Sequence, residues 1–153
     1  MSFITGTATD VGDLIERLDA FLQLGHSLDP QYAIANVGNG LIDSATEGVQ
    51  GTAASVGETI TCTATDATHF DVVGSVSGAL GTATVGTPFT CAVCGFTITA
   101  GATAFVAGDI ISFFMTTPWT RLASTTSQQK IWSAPGNDGA ANIITGLSRF
   151  TST

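Results

Sequence analysis

Three cysteines, Cys62, Cys91 and Cys94, are the side chains best suited to chemistry, and two of them stand in the run Cys91-Ala92-Val93-Cys94. That spacing suits a metal knuckle, and Cys62 with His69 would bring the ligand count to four. A zinc site normally carries a second tight pair, however, and this sequence has none. No metal is expected on that ground. In an extended strand, residues three apart project from opposite faces, so Cys91 and Cys94 are expected to diverge, one into the core and the other toward a neighbour. Unpaired thiols are the simplest expectation. An odd total also leaves room for an inter-subunit disulfide, with an intrachain bridge from Cys62 as a further option. Such bonds would form by oxidation after assembly in a reducing cell.

No other constellation supports catalysis. Gly74-Ser75-Val76-Ser77-Gly78 has the outline of a nucleophile elbow, but Val76 occupies the central position, so the segment reads as a turn. Gly38-Asn39-Gly40 lacks the third glycine and the preceding buried strand of a phosphate cradle. His69 and Asp71 lie two apart, on one face of a strand, and are spaced for a hydrogen-bonded pair. No serine or cysteine is placed beside them by any motif, and a surface pair is the expectation. The reading is of a non-enzyme with no catalytic residue, no cofactor, no metal and no small-molecule substrate.

The elements that must position these residues are written in a low-charge alphabet. Of 153 residues, 44% are hydrophobic and 10% charged, and twelve Asp+Glu against four Lys+Arg give a net charge of −8. Arg17, Arg121, Lys130 and Arg149 are scattered, whereas phosphate binding needs clustered cations that displace counterions, so nucleic acid is not an expected partner. No window reaches the ~18 consecutive apolar residues of a membrane span, and MSFITGTATD lacks a basic start and an apolar core; a soluble chain without a secretory signal is expected. Neutral Thr-, Ser-, Ala- and Gly-rich surface suits contact with other protein copies.

One helix is expected over residues 9–25. Thr9 or Asp10 can cap it, Asp13 sits in its first turn, and Val11, Leu14, Ile15, Leu18, Phe21 and Leu22 form an apolar stripe expected to pack on the rest of the chain, with Leu14, Ile15, Leu18, Phe21 and Leu22 as a candidate docking face for a partner in the alternative. Glu16, Arg17 and Asp19 are expected to point away from that stripe, and Gly25 to end the helix. Residues 26–56 read as loop or short irregular strands, with Val37-Gly38-Asn39-Gly40 as a turn. In GETITCTAT (57–65), Ile60, Cys62 and Ala64 alternate with Thr59, Thr61 and Thr63. THFDVV (68–73) alternates likewise, as do Phe96, Ile98 and Ala100 with Thr97 and Thr99. Gly101 and Ala107-Gly108-Asp109 provide turns before Ile110–Met115, which argues for antiparallel pairing of the strands on either side. Trp119 and Trp132 are expected in core or inter-domain packing rather than sugar stacking.

The fold expected is therefore mainly β with one N-terminal amphipathic helix: a small α+β docking frame from residues 1–49 and 117–153, carrying an inserted antiparallel β-sandwich module at 50–116.

The stretch SVSGALGTATVGTPFTCAVCGFTITAGATAFVAGD resembles Ig-like or decoration-type β modules in structural proteins of tailed bacteriophages. DVGDLIERLDAFL, with IWSAPGNDGAANIITGL far downstream, is similar to a tail-associated family in which a Trp-x-Ala-Pro-Gly-x-x-Gly strand and turn precede a strand of the form x-Ile-x-x-Gly-Leu. Together the resemblances run from about Thr9 to Phe150. They imply a virion structural protein, of tail or baseplate before capsid, assembled in the host cytoplasm with copies of itself and other virion proteins as partners. A capsid decoration or cement protein is the alternative, and a host-surface or glycan binder the second. Members of the tail family continue past the final strand, so a chain ending at Thr153 is expected to lack a receptor-reaching module.

Overall fold

The structure, a computed structural model, describes residues 7–27, 30–42, 49–126, 129–135 and 141–147. Over these residues it is mainly β, with antiparallel sheets and, among the described residues, a single short helix near the N-terminus. The helix α1 spans Val11–Leu22. The strands follow in chain order: β1 Gln31–Tyr32, β2 Leu41–Ile42, β3 Gln50–Gly51, β4 Glu58–Ala64, β5 His69–Gly74, β6 Gly78–Thr84, β7 Phe89–Thr90, β8 Cys94–Phe96, β9 Ile98–Thr99, β10 Ile110–Met115, β11 Thr120–Thr126, β12 Gln129–Pro135 and β13 Ala141–Leu147.

The central sheet runs β1-β10-β4-β5-β6. Its strands form where the alternation is cleanest. On β4, Ile60, Cys62 and Ala64 are buried, while Thr59 is exposed and Thr61 and Thr63 lie between. β5 buries Phe70 and Val72 and exposes His69, Asp71 and Val73. This period of two gives the sheet one core face. Two short ladders, β2-β9 and β3-β8-β7, share that core: Ile42, Val49, Cys94, Phe96 and Ile98 pack with Ile60, Phe70, Val72, Ile111 and Phe113. Phe96 meets Phe113 edge-on at 5.4 Å, and Phe70 meets Phe105 at 4.8 Å. The core of the β module thus draws on residues upstream of 50, and β1 pairs with β10 through Gln31↔Ser112 and Tyr32↔Ile111.

Pairing departs from the sequence expectation at one place. The run 96–100 does not pair with Ile110–Met115: β9 pairs with β2, and β10 with β4 and β1. The ten residues between β9 and β10 are too many for a tight hairpin, and they bring Phe105 into the core instead.

Three further strands, β11-β12-β13, form a separate antiparallel sheet against which α1 lies. A second core of Ile15, Leu22 and Trp132, flanked by Phe21 and Trp119, joins them. Trp132 is fully buried, as its packing reading required. The turn of the Trp-x-Ala-Pro-Gly-x-x-Gly resemblance, at 136–139, lies outside the described residues.

Buried carboxylates hold turns in place. Glu58, at the start of β4, accepts hydrogen bonds at Oε2 from the Val76 and Ser77 N–H groups, both 2.9 Å, and at Oε1 from the Ser77 hydroxyl at 2.7 Å. Gly74-to-Gly78 is thus the β5–β6 turn, and its function is structural. Asp109 does the same for Val37-Gly38, accepting from the two N–H groups at 2.8 Å each and from the Val106 N–H at 3.1 Å. Asn36 works as a one-residue strand extension, donating to the Ile110 carbonyl and accepting from the Ile110 N–H, both at 2.8 Å.

Candidate functional site

The helix and its outer face form the feature best built for contact. Asp10 caps α1: its carboxylate accepts the Asp13 N–H at 2.9 Å, and Asp13 in return accepts the Thr9 N–H at 2.9 Å, a reciprocal capping arrangement. That hydrogen bond from Thr9, followed by the Arg17 guanidinium at 3.1 Å, holds the Asp13 carboxyl below its ordinary range. The helix stops at Leu22, and its last carbonyl accepts the Trp119 N–H at 2.8 Å. Gly25 does not end it with a left-handed residue. Gly25 lies three residues beyond, with φ outside the positive region, and is wedged against Ser55 and the Thr116 carbonyl where any Cβ would collide.

One face is fastened. Ile15 and Leu22 are buried on Trp132. Asp19, expected to face outward, is buried between them: its Oδ1 accepts the Trp132 indole N–H at 2.7 Å, and its Oδ2 accepts from Arg121 at 2.7 Å. Positions 15, 19 and 22 follow a helical spacing, so the face of Ile15 and Leu22 necessarily includes Asp19. The buried carboxylate is tolerated because both oxygens are hydrogen-bonded and one is ion-paired.

The adjoining face is bare. Leu14 is 55% exposed and Leu18 38%, one helical turn apart. Phe21 is half-buried against the anchor and lies 4.1 Å, ring to ring, from His26. The apolar stripe read from the sequence is therefore split: Ile15 and Leu22 dock the helix within the chain, Phe21 is shared, and Leu14 and Leu18 face solvent. The side chain of Val11 lies outside the described residues. Leu122, on the adjoining sheet, is also 57% exposed.

The cysteines sit elsewhere, in the β module. Cys62 is fully buried on β4 and Cys94 is buried on β8, while Cys91 is partly exposed just after β7. Cys91 and Cys94 do not diverge. Phe89 pairs with Phe96 and Thr90 with Gly95, so Ala92-Val93 is the tip of a two-residue hairpin and the flanking cysteines fall side by side. The Cys91 N–H donates to the Cys94 carbonyl at 2.8 Å, and the sulfurs lie 3.5 Å apart. The opposite-face expectation assumed a continuous strand, and the turn removes that premise. Burial pushes the Cys62 thiol up to about 12, and burial also raises Cys94.

His69 pairs with Asp66 rather than Asp71. Its Nδ1 lies 2.9 Å from Asp66 Oδ2 across the β4–β5 turn, while Asp71 accepts from the Thr82 hydroxyl at 3.4 Å. The Thr68 N–H, then His69, pull Asp66 down to about 2. Both partners are exposed, so this is a clasp of the turn in contact with water. Among the described residues, no three His, Cys, Asp or Glu side chains are grouped to hold a metal ion, and no helix is long and apolar enough to cross a membrane.

No family model and no curated protein matches the chain. Among solved structures it is similar to FlgL of Xanthomonas campestris in two crystal forms. One match has 21% identity and a TM-score of 0.45 over 65% of this chain and 34% of that one; the other has 20% identity and a TM-score of 0.42 over 57% and 28%. The chain spans about a third of the length of the FlgL chains it matches.

Proposed function

We propose that this chain is a non-enzymatic structural component of a tailed-phage virion, assembling in multiple copies in the tail or baseplate through the outer face of α1. The observation that carries this reading is the division of labour on the helix: Ile15, Asp19 and Leu22 fix it to Trp132 and Arg121, so Leu14 and Leu18 are presented on a rigid element. Fully burying an exposed leucine is worth about 1.5–3 kcal/mol, so covering Leu14 and Leu18, which are 55% and 38% exposed, contributes about 1 kcal/mol each, and repetition around a ring multiplies the gain. The resemblance of the β module and of the Trp132 strand to phage structural proteins supports the virion setting. Low charge and threonine-rich strand faces suit neighbours that are other copies of the chain and other virion proteins.

The test is made on particles purified from the host that carries the gene. Mass spectrometry is expected to find the chain at several copies per particle, and gold-labelled antibody to mark the tail or baseplate. Label on the capsid shell would replace this reading with a decoration protein, and absence from the particle would overturn it.

A further inference from the structure

We infer that Cys91 and Cys94 form a redox-active pair that closes into a disulfide within one chain, stapling the β7–β8 hairpin, while Cys62 stays a thiol. The placement is built by the backbone. The β7–β8 register continues one step past Thr90↔Gly95, setting Cys91 opposite Cys94 across the Ala92-Val93 tip. Directly opposed residues in such a ladder have Cα atoms about 4.5–5.5 Å apart, inside the ~4.4–6.8 Å range that a disulfide spans. The sulfurs already stand 3.5 Å apart, and the Cys94 N–H donates to Cys91 Sγ at 3.3 Å, which holds the Cys91 side chain toward Cys94. Only side-chain rotation is left to bring the sulfurs to bonding distance, about 2.05 Å.

Access separates the three cysteines. Cys91 is partly exposed, while Cys94 is covered from outside yet reachable from Cys91. Cys62 is fully buried on β4, which offers a neighbouring subunit no sulfur surface. The exchange balances with a small-molecule disulfide such as oxidised glutathione. Cys91 loses its proton to water and attacks one glutathione sulfur, expelling the first glutathione as a thiolate that takes up a proton. Cys94 then gives up its proton and displaces the second glutathione from Cys91. The products are the Cys91–Cys94 bond and two glutathione thiols: the cysteine pair is oxidised by two electrons and the external disulfide reduced by two. The site does not depend on the virion reading, since it uses one chain only.

The experiment treats the native, reduced full-length chain with oxidised glutathione, quenches in acid, alkylates under denaturing conditions and reads intact and peptide masses. Three alkyl groups are expected before oxidation and one after, carried by Cys62, with the protein still migrating as a monomer on a non-reducing gel. Cys62→Ala is expected to lose two alkylatable thiols as the parent does, and Cys91→Ser to lose the intrachain product entirely. Circular dichroism of each variant is the check that it is folded. Retention of all three thiols in the parent, a disulfide-linked dimer as the main product, or a bridge that includes Cys62 would each overturn the inference.

Discussion

Glu58 and Asp19 are single residues whose loss would reach well beyond themselves. Glu58 is buried, which pushes its carboxyl up, but hydrogen bonds from the Ser77 N–H, the Ser77 hydroxyl and the Val76 N–H outweigh this and leave it below its ordinary value of 4.5. Asp109 behaves alike: burial raises it, and the N–H groups of Val37, Gly38 and Val106 bring it below 3.8. In that range the unfolded chain binds more protons than the folded one, so the stability these groups contribute is complete above pH 4.5 and is lost as pH falls through their folded-state values. Urea unfolding at a series of pH values is expected to show this acid loss, and Glu58→Gln to lower stability near neutrality by about 1–3 kcal/mol while flattening part of the acid slope. An unchanged slope would remove Glu58 from this role. Trp132→Phe keeps most of the ring but deletes the donor to Asp19, for an expected loss of about 1–3 kcal/mol by circular-dichroism-monitored unfolding. Both carboxylates were legible in principle. Glu58 has the same parity on β4 as Ile60, Cys62 and Ala64, and Asp19 shares the helical face of Ile15 and Leu22; a charge at those positions reads as solvent-facing only until the pattern around it is followed.

Among the elements, the helix and the longer strands followed from periodicity. Asp10 was one of two caps expected, and α1 begins one residue after it. Asp10→Ala is expected to cost about 1 kcal/mol in the same unfolding measurement, because the Asp13 N–H loses its acceptor. β4, β5 and β10 lie within a residue of where alternation put them, since each has one dry face. Of the two-residue strands, β9 falls within the 96–100 alternation, whereas β1, β2, β3 and β7 are too short to carry a period, and their partners are chosen by the shape of the shared core. The Cys91-Cys94 hairpin leaves no mark in the sequence, because Ala92-Val93 carries none of the Gly or Asn that announces a tight turn. β6 shows the opposite case. Its register slips between Val72 and Val73 of its partner strand, and Gly81 takes φ +126° in the strand opposite that slip. Gly81→Val is expected to destabilise by about 1–3 kcal/mol, whereas the same change at exposed Ala79, where no positive φ is needed, is expected to be nearly neutral. Equal effects at the two positions would mean that backbone conformation is not what Gly81 supplies.

At the scale of the molecule, two hydrophobic cores of unequal size among the described residues divide the work: a larger one inside the β module and a smaller one where α1 meets Trp132. Strands and core residues were readable because burial leaves a pattern in the sequence. The contact face was not separable from the anchor, because Leu14 and Leu18 belong to the same apolar stripe as Ile15 and Leu22, and only the position of Trp132 decides which of them stay bare. The central claim is that this bare face drives self-assembly. Its most direct measurement is light scattering coupled to size-exclusion chromatography over a concentration series, in reductant, on the parent chain and on Leu14→Glu/Leu18→Glu. The parent is expected to form concentration-dependent oligomers, and the double variant to remain a monomer with a little-changed unfolding midpoint, since neither leucine belongs to a buried core. Oligomers of the same size in both, or a parent that stays monomeric at every concentration, would contradict the account.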